Sequence, residues 1–341
     1  MTLAQLRESP GAGTKPGPTA GNRRGEPLGR RSPLAKLDSS PRPFGGTLNT
    51  EQAARMNTGV GFVAALDQSG GSTSGALKLY GIDPASYGSD EQMFDLMHQM
   101  RARVMTAASF TSDRILATIL FEQTMDRTVN GQLTGEYLTA RGIVPIVKVD
   151  QGLAAEEDGV QLMRPLTKLE PLLTRAVERT MFGTKMRSVI KSANPAGIQA
   201  IVDQQFAVAA QVLSHGLVPI LEPEVDIHAP DKAEAENLLK ADVLAALDRL
   251  PTDQPVIVKL SIPTVPDFYT DLIEHPLVLR VVALSGGYSQ SEACRLLAEN
   301  HGLSASFSRA LLEGLTVQQS DAAFNAVLAT SIERIYTAST T

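Results

Sequence analysis

PVIVKLSI, residues 255–262, is a run of Val, Ile and Leu interrupted once, by Lys259. An apolar, β-branched run of this length reads as a strand buried on both faces, as in a parallel sheet. An ammonium group inside it is costly unless something repays its desolvation. Seven more runs share the texture: GFVAALD (61–67), RILATILF (114–121), IVPIVKVD (143–150), TKMRSVIK (184–191), GLVPILEPEV (216–225), LRVVALSGG (279–287) and SASFSRAL (304–311). Between them lie stretches such as EQMFDLMHQMRARVMTAA and IQAIVDQQFAVAAQVLSH, whose apolar residues recur every three or four positions. That spacing gives a helix one apolar face to lay on a sheet.

Eight strand-then-helix units predict an α/β protein of the closed (β/α)8 barrel kind. A doubly wound open sheet fits less well. The first βα turn, DQSGGSTSG, is not GxGxxG, and no GxxxxGK[ST] occurs in the chain.

The barrel is expected over residues 48–341 as a single domain. Residues 1–47 differ: they are basic, dense in Pro and Gly, and without apolar periodicity. Such a segment buries too little surface to offset chain entropy and is expected to be a disordered extension.

Composition narrows the function classes. The single cysteine, Cys294, cannot form an internal disulfide and fits a cytoplasmic setting. The five histidines show no HxH or HxxxH spacing, so no metal cofactor is expected. A net charge of −6 gives no reason to expect nucleic acid, and no apolar run is long enough to span a membrane.

In barrels of this kind the chemistry sits at the C-terminal ends of the strands. Every predicted strand but the second carries a charged or anion-binding group there: Asp67; Lys148; Lys185 with Arg187; Glu222 with Glu224; Lys259; Ser285-Gly286-Gly287; and Ser308-Arg309. One such lysine alone would read as a stem snorkelling from an edge. Three on three strands read as a cluster in which mutual repulsion lowers the pKa of an amine and readies it to attack a carbonyl. Carboxylates among them would move the protons that imine chemistry requires. Two small-residue turns, Ser69-Gly70-Gly71-Ser72 beside Lys148 and Ser285-Gly286-Gly287 near Ser308-Arg309, could each cradle a phosphate. Two cradles flanking a lysine cluster point to a bisphosphate.

From about residue 48 to 336, the ordered motifs AALDQSGGS, VPIVKVDQG, TKMRSVIK, VPILEPE, VIVKL, LSGG and SFSRAL resemble the class I fructose-1,6-bisphosphate aldolases in their shorter bacterial form. The resemblance implies a metal-independent lyase of glycolysis and gluconeogenesis that cleaves its ketose through a lysine imine. It implies that Lys259 is the imine lysine, with Glu222 exchanging protons. Lys185 would be an essential cationic neighbour positioned by Glu224, and Asp67 the base on the C4 hydroxyl. Lys148, Ser69 and Ser72 would lie near the 6-phosphate, Arg187 along the cleft, and Ser285, Gly286, Ser308 and Arg309 at the 1-phosphate. It also implies a homo-oligomer acting on a phosphorylated sugar.

Two features depart from the animal enzymes. Position 68 is Gln where they have Glu. The chain ends in IYTASTT, without the tail whose terminal tyrosine assists proton exchange. Tyr336 is the nearest substitute, and a tyrosine packed on the last helix is its plainer reading. The rival readings are a Schiff-base aldolase of another sugar phosphate and a catalytically silent barrel used for binding.

Overall fold

The computed structural model describes residues 48–69 and 71–341, with backbone only for Gly71 and Ser72. The predicted extension, residues 1–47, lies outside the described residues.

Eight parallel strands form a closed barrel: β1 Phe62–Leu66, β2 Ile115–Leu120, β3 Val144–Lys148, β4 Gly183–Ile190, β5 Val218–Val225, β6 Val256–Ser261, β7 Val278–Leu284 and β8 Ser304–Phe307. Each pairs in parallel with the next, and β8 pairs with β1 to close the ring. All eight were legible as apolar runs.

The eighth run needs a correction. The strand stops at Phe307, and Arg309–Leu312 is a helical turn. Ser308 bends the chain at φ −112°, ψ −80°, and its carbonyl accepts from the N–H groups of Leu311 and Leu312. Arg309 therefore stands on a turn above the barrel rather than on a strand.

Alternation along the strands sets what faces inward. Val147, Met186, Leu221 and Val258 pack outward in the core beneath the helices. Their neighbours Lys148, Lys185, Glu222 and Lys259 then point into the barrel. The outer helices start at polar caps that the sequence supplies. Ser89, Ser289 and Ser320 each accept an N–H from the first turn, and Asn194 does so ahead of Pro195.

Two small elements escaped the pattern. Thr128–Val129 and Gln132–Leu133 form a hairpin around Asn130-Gly131, both at positive φ, the pairing that two-residue hairpin turns favour. Val160–Gln161 adds an antiparallel edge to the end of β4. Strands of two residues are too short to show periodicity.

The floor of the barrel is closed by the helix Thr50–Thr58. Buried Arg280, near the start of β7, donates to the carbonyls of Met56, Asn57 and Gly59 and to Ser304 Oγ. It thereby satisfies carbonyls that the end of that helix leaves open. Gly59 lets the chain leave the helix close against its last turn, since a Cβ there would lie 2.4 Å from the Arg55 carbonyl oxygen. Among the described residues no helix is long and apolar enough to cross a membrane.

Candidate active site

At the opposite end the barrel opens into a cavity of about 1650 Å³. Nine of its lining side chains are cationic and five are carboxylates, in a chain whose net charge is −6. The basic excess is therefore local, and it favours an anionic ligand.

Lys259 Nζ, on β6, lies 2.9 Å from Glu222 Oε1 on β5, with both side chains about 95% buried. The other Glu222 oxygen lies 2.8 Å from Lys185 Nζ, and Lys185 reaches on to Asp67 Oδ2 at 2.7 Å. A carboxylate is thus interposed between the two lysines. Lys148 Nζ lies 2.9 Å from Asp150 Oδ1 and donates to Ser69 Oγ at 2.6 Å. Three ammonium groups alternate with three carboxylates, which offsets the desolvation each would otherwise suffer.

The charges follow from that order. Burial pushes Asp67 upward, but Lys185, Lys259 and Lys148 outweigh it and hold the carboxyl well below the usual range. Burial likewise raises Glu222, and Lys185 with Lys259 brings it below its ordinary value. For Lys185, burial is overcome by Asp67, Glu222 and Asp150, so its pKa is raised. At Lys185 itself, attraction to carboxylates outweighs the lysine–lysine repulsion read from the sequence. Lys185 is kept charged, and the carboxylates beside it ionised, because Asp67 Oδ2 and Glu222 Oε2 lie 2.7 and 2.8 Å from its Nζ.

Glu224 pairs with Arg187 Nε at 2.6 Å, so it orients Arg187 rather than Lys185. Burial lowers the Arg187 pKa, but the bond to Glu224 and the surrounding carboxylates raise it overall. Asp150 went unremarked in the sequence. Its signal was alternation: it stands two residues past Lys148, on the same inward face. It accepts the Arg187 backbone N–H at 3.2 Å and lies 3.9 Å from Lys185 Nζ. Ser306, inward on β8 and two residues before Ser308, was also missed. Its buried hydroxyl lines the cavity without a protein partner.

The turn after β7 is closed by the Tyr288 N–H on the Ser285 carbonyl. Gly286 sits at φ +60°, where a Cβ would come within 2.4 Å of Ile227, so no side chain fits. A Cβ at Gly287 would lie 3.7 Å from Arg309 Nη2, which brings the two expected 1-phosphate arms together. Ser69 faces the cavity beside Lys148, whereas the Ser72 side chain lies outside the described residues. Tyr336 stacks on Arg114, 4.2 Å from the guanidinium carbon to the ring centre, just before the start of β2. It is a floor residue and does not reach the mouth.

A buried amine within hydrogen-bonding distance of an ionised carboxylate, at the mouth of a parallel barrel, is the equipment of an imine-forming carbon–carbon lyase. Residues 50–261 match the family model described as fructose-bisphosphate aldolase class-I. The class 1 fructose-bisphosphate aldolase of Synechocystis sp. is 60% identical over 294 residues, covering 86% of this chain and 98% of that protein. Its counterpart in Porphyromonas gingivalis is 57% identical, covering 86% and 99%. The solved fructose-bisphosphate aldolase of Plasmodium falciparum superposes with a TM-score of 0.66 at 21% identity, over 85% of this chain and 94% of that one, and shows the same fold. The chain belongs to the class I fructose-bisphosphate aldolase family.

Proposed function

We propose that this chain cleaves fructose 1,6-bisphosphate, reversibly, to dihydroxyacetone phosphate and glyceraldehyde 3-phosphate through an imine on Lys259. The observation that carries the reading is the buried Lys259–Glu222 pair at 2.9 Å. Lys259 Nζ adds to the C2 carbonyl. Of the three ammonium hydrogens, two leave with the C2 oxygen as water, relayed by Glu222, and one stays on the protonated imine.

Asp67, held ionised by its lysines, then takes the C4 hydroxyl proton. The C3–C4 bond breaks, the aldehyde departs, and the electron pair flows from C3 toward the imine nitrogen. A proton then returns to C3, and water hydrolyses the imine to release dihydroxyacetone phosphate and restore the Lys259 ammonium. Lys185 stabilises both carboxylates throughout and is a positioning cation. Ser285, Gly286, Ser308 and Arg309 are assigned to the 1-phosphate, with Lys148, Ser69 and Ser72 at the 6-phosphate and Arg187 along the substrate between them.

The protonated imine performs the electron withdrawal that a metal supplies in metal-dependent aldolases, so no metal cofactor is required. The family membership and the lone cysteine support a cytoplasmic homo-oligomer without membrane or nucleic-acid partners. Residues 48–341 would form its single catalytic domain.

Borohydride reduction in the presence of dihydroxyacetone phosphate, followed by peptide mapping, tests this. Irreversible inactivation with the label on Lys259, and activity insensitive to EDTA, is the expected result. A label elsewhere, or loss of activity to EDTA, overturns the assignment. Equal kcat/KM for fructose 1-phosphate and the bisphosphate would instead favour an aldolase of another sugar phosphate.

A further inference from the structure

Gln68 follows Asp67 directly, at the position where the animal enzymes carry Glu, and the mechanism above leaves it unused. Its backbone carbonyl accepts from Arg101 Nη2, and the buried Arg101 is anchored in turn by Thr124 Oγ1 at 2.8 Å. The backbone at 68 is thereby fixed from behind the barrel wall. The side chain spans to the other end of the closing seam, where Nε2 donates to Ser308 Oγ at 2.7 Å.

A serine hydroxyl has one hydrogen to give and two lone pairs to offer. With a lone pair engaged by the Gln68 amide, the Ser308 hydrogen is left to point into the cavity that both residues line. A glutamate at 68 would do the reverse: it can only accept, so it would draw the Ser308 hydrogen toward itself and add a negative charge beside an anion site.

We propose that Gln68 is a positioning residue that sets Ser308 as a hydrogen-bond donor to the substrate's 1-phosphate, while tying the Asp67 turn to the Ser308–Arg309 arm. This rests on the proposed assignment of Ser308 and Arg309 to that phosphate. Gln68 touches no reacting atom. It acts through Ser308, and its effect falls on phosphate recognition.

The test compares trapping of two ketones by borohydride in the full chain. Dihydroxyacetone phosphate carries the phosphate and dihydroxyacetone lacks it. For Gln68→Glu, the preference for the phosphorylated ketone over the unphosphorylated one should fall by about tenfold to a hundredfold, the range of one hydrogen bond to a charged group. In steady state the loss should lie mainly in KM. For Gln68→Ala the fall should be smaller. Combined with Ser308→Ala it should add little, because both changes remove the same interaction.

If Gln68→Glu keeps the wild-type preference, the amide oxygen faces Ser308 and the proposal is wrong. Additive losses in Gln68→Ala/Ser308→Ala would likewise overturn it. If the parent chain traps neither ketone on Lys259, the aldolase reading has failed, a result distinct from either of these.

Discussion

The floor and the mouth of this barrel both bury cations, and the acceptors described around them differ. At the floor, Arg280 donates, among the described residues, to three backbone carbonyls and a serine. At the mouth, Lys185 and Lys259 share Glu222, and Lys185 shares Asp67 as well. Neutral carbonyls hold a charge in place without giving it anything to exchange. Ionised carboxylates can take a proton and return it. The fold therefore places groups that can exchange protons at its mouth, while the carbonyls described at the floor serve for fastening.

Lys259→Met breaks the comparison most sharply. Glu222 keeps Lys185 as a partner in that variant, so the fold should survive with near-native circular dichroism. kcat should fall by on the order of 10⁴-fold or more, as when other nucleophiles are removed. Unfolding of the variant would show that Lys259 is a fastening residue like Arg280.

Lys185→Met should damage both properties, since it strands Asp67 without its closest cation. Breaking a buried pair costs about 3–5 kcal/mol. The pH dependence of that loss has a definite sign. The Asp67 carboxyl is depressed in the folded state, so its contribution is complete above about pH 5 and is lost as pH falls further. The Lys185 pKa is raised, so its contribution is complete below about pH 10 and is lost as pH rises beyond that. The gap in urea midpoint between parent and variant should be widest on the plateau between and should narrow on both flanks. A gap independent of pH would show that the ion pairs are not its source.

Arg280→Met addresses the floor alone. Stranded carbonyls should lower stability by about 2–5 kcal/mol, while kcat of the folded fraction stays at the parent value. A loss of kcat without a loss of stability would mean that the two ends are coupled. The smallest effect is expected from removing residues 1–47: kcat and KM should not change, and a large drop would overturn the reading of that segment as dispensable.

The sequence carried the mouth better than the floor, for a physical reason. A charge such as Lys148 or Lys259 inside an apolar run stands out because burying it needs an explanation. Arg280 in LRVVALSGG is the same kind of signal, yet it passed as an ordinary strand residue because it sits at the wrong end for chemistry. Beyond the Glu222–Lys259 pairing that the family resemblance implied, which carboxylate meets which cation was not legible. Glu224 finding Arg187 and Asp150 joining the cluster depend on the register between strands, which no single strand encodes. The end of β8 was misjudged because SRAL is apolar enough to extend a strand, while its turn is decided by bonds to the Ser308 carbonyl.

The register of the third seam has one more consequence. Lys148 and Lys185 stand directly opposite each other on β3 and β4, an arrangement that disfavours pairing. Relief comes from Asp150 just past β3, from Glu222 on β5 and from Asp67 just past β1. The β3–β4 seam thus carries an electrical condition that its own two strands cannot meet. Meeting it draws on carboxylates from β5 and the end of β1 as well, so charges contributed from across the barrel hold this one seam together. The site is not mounted on a finished scaffold; its charges are among the fastenings that let the scaffold finish.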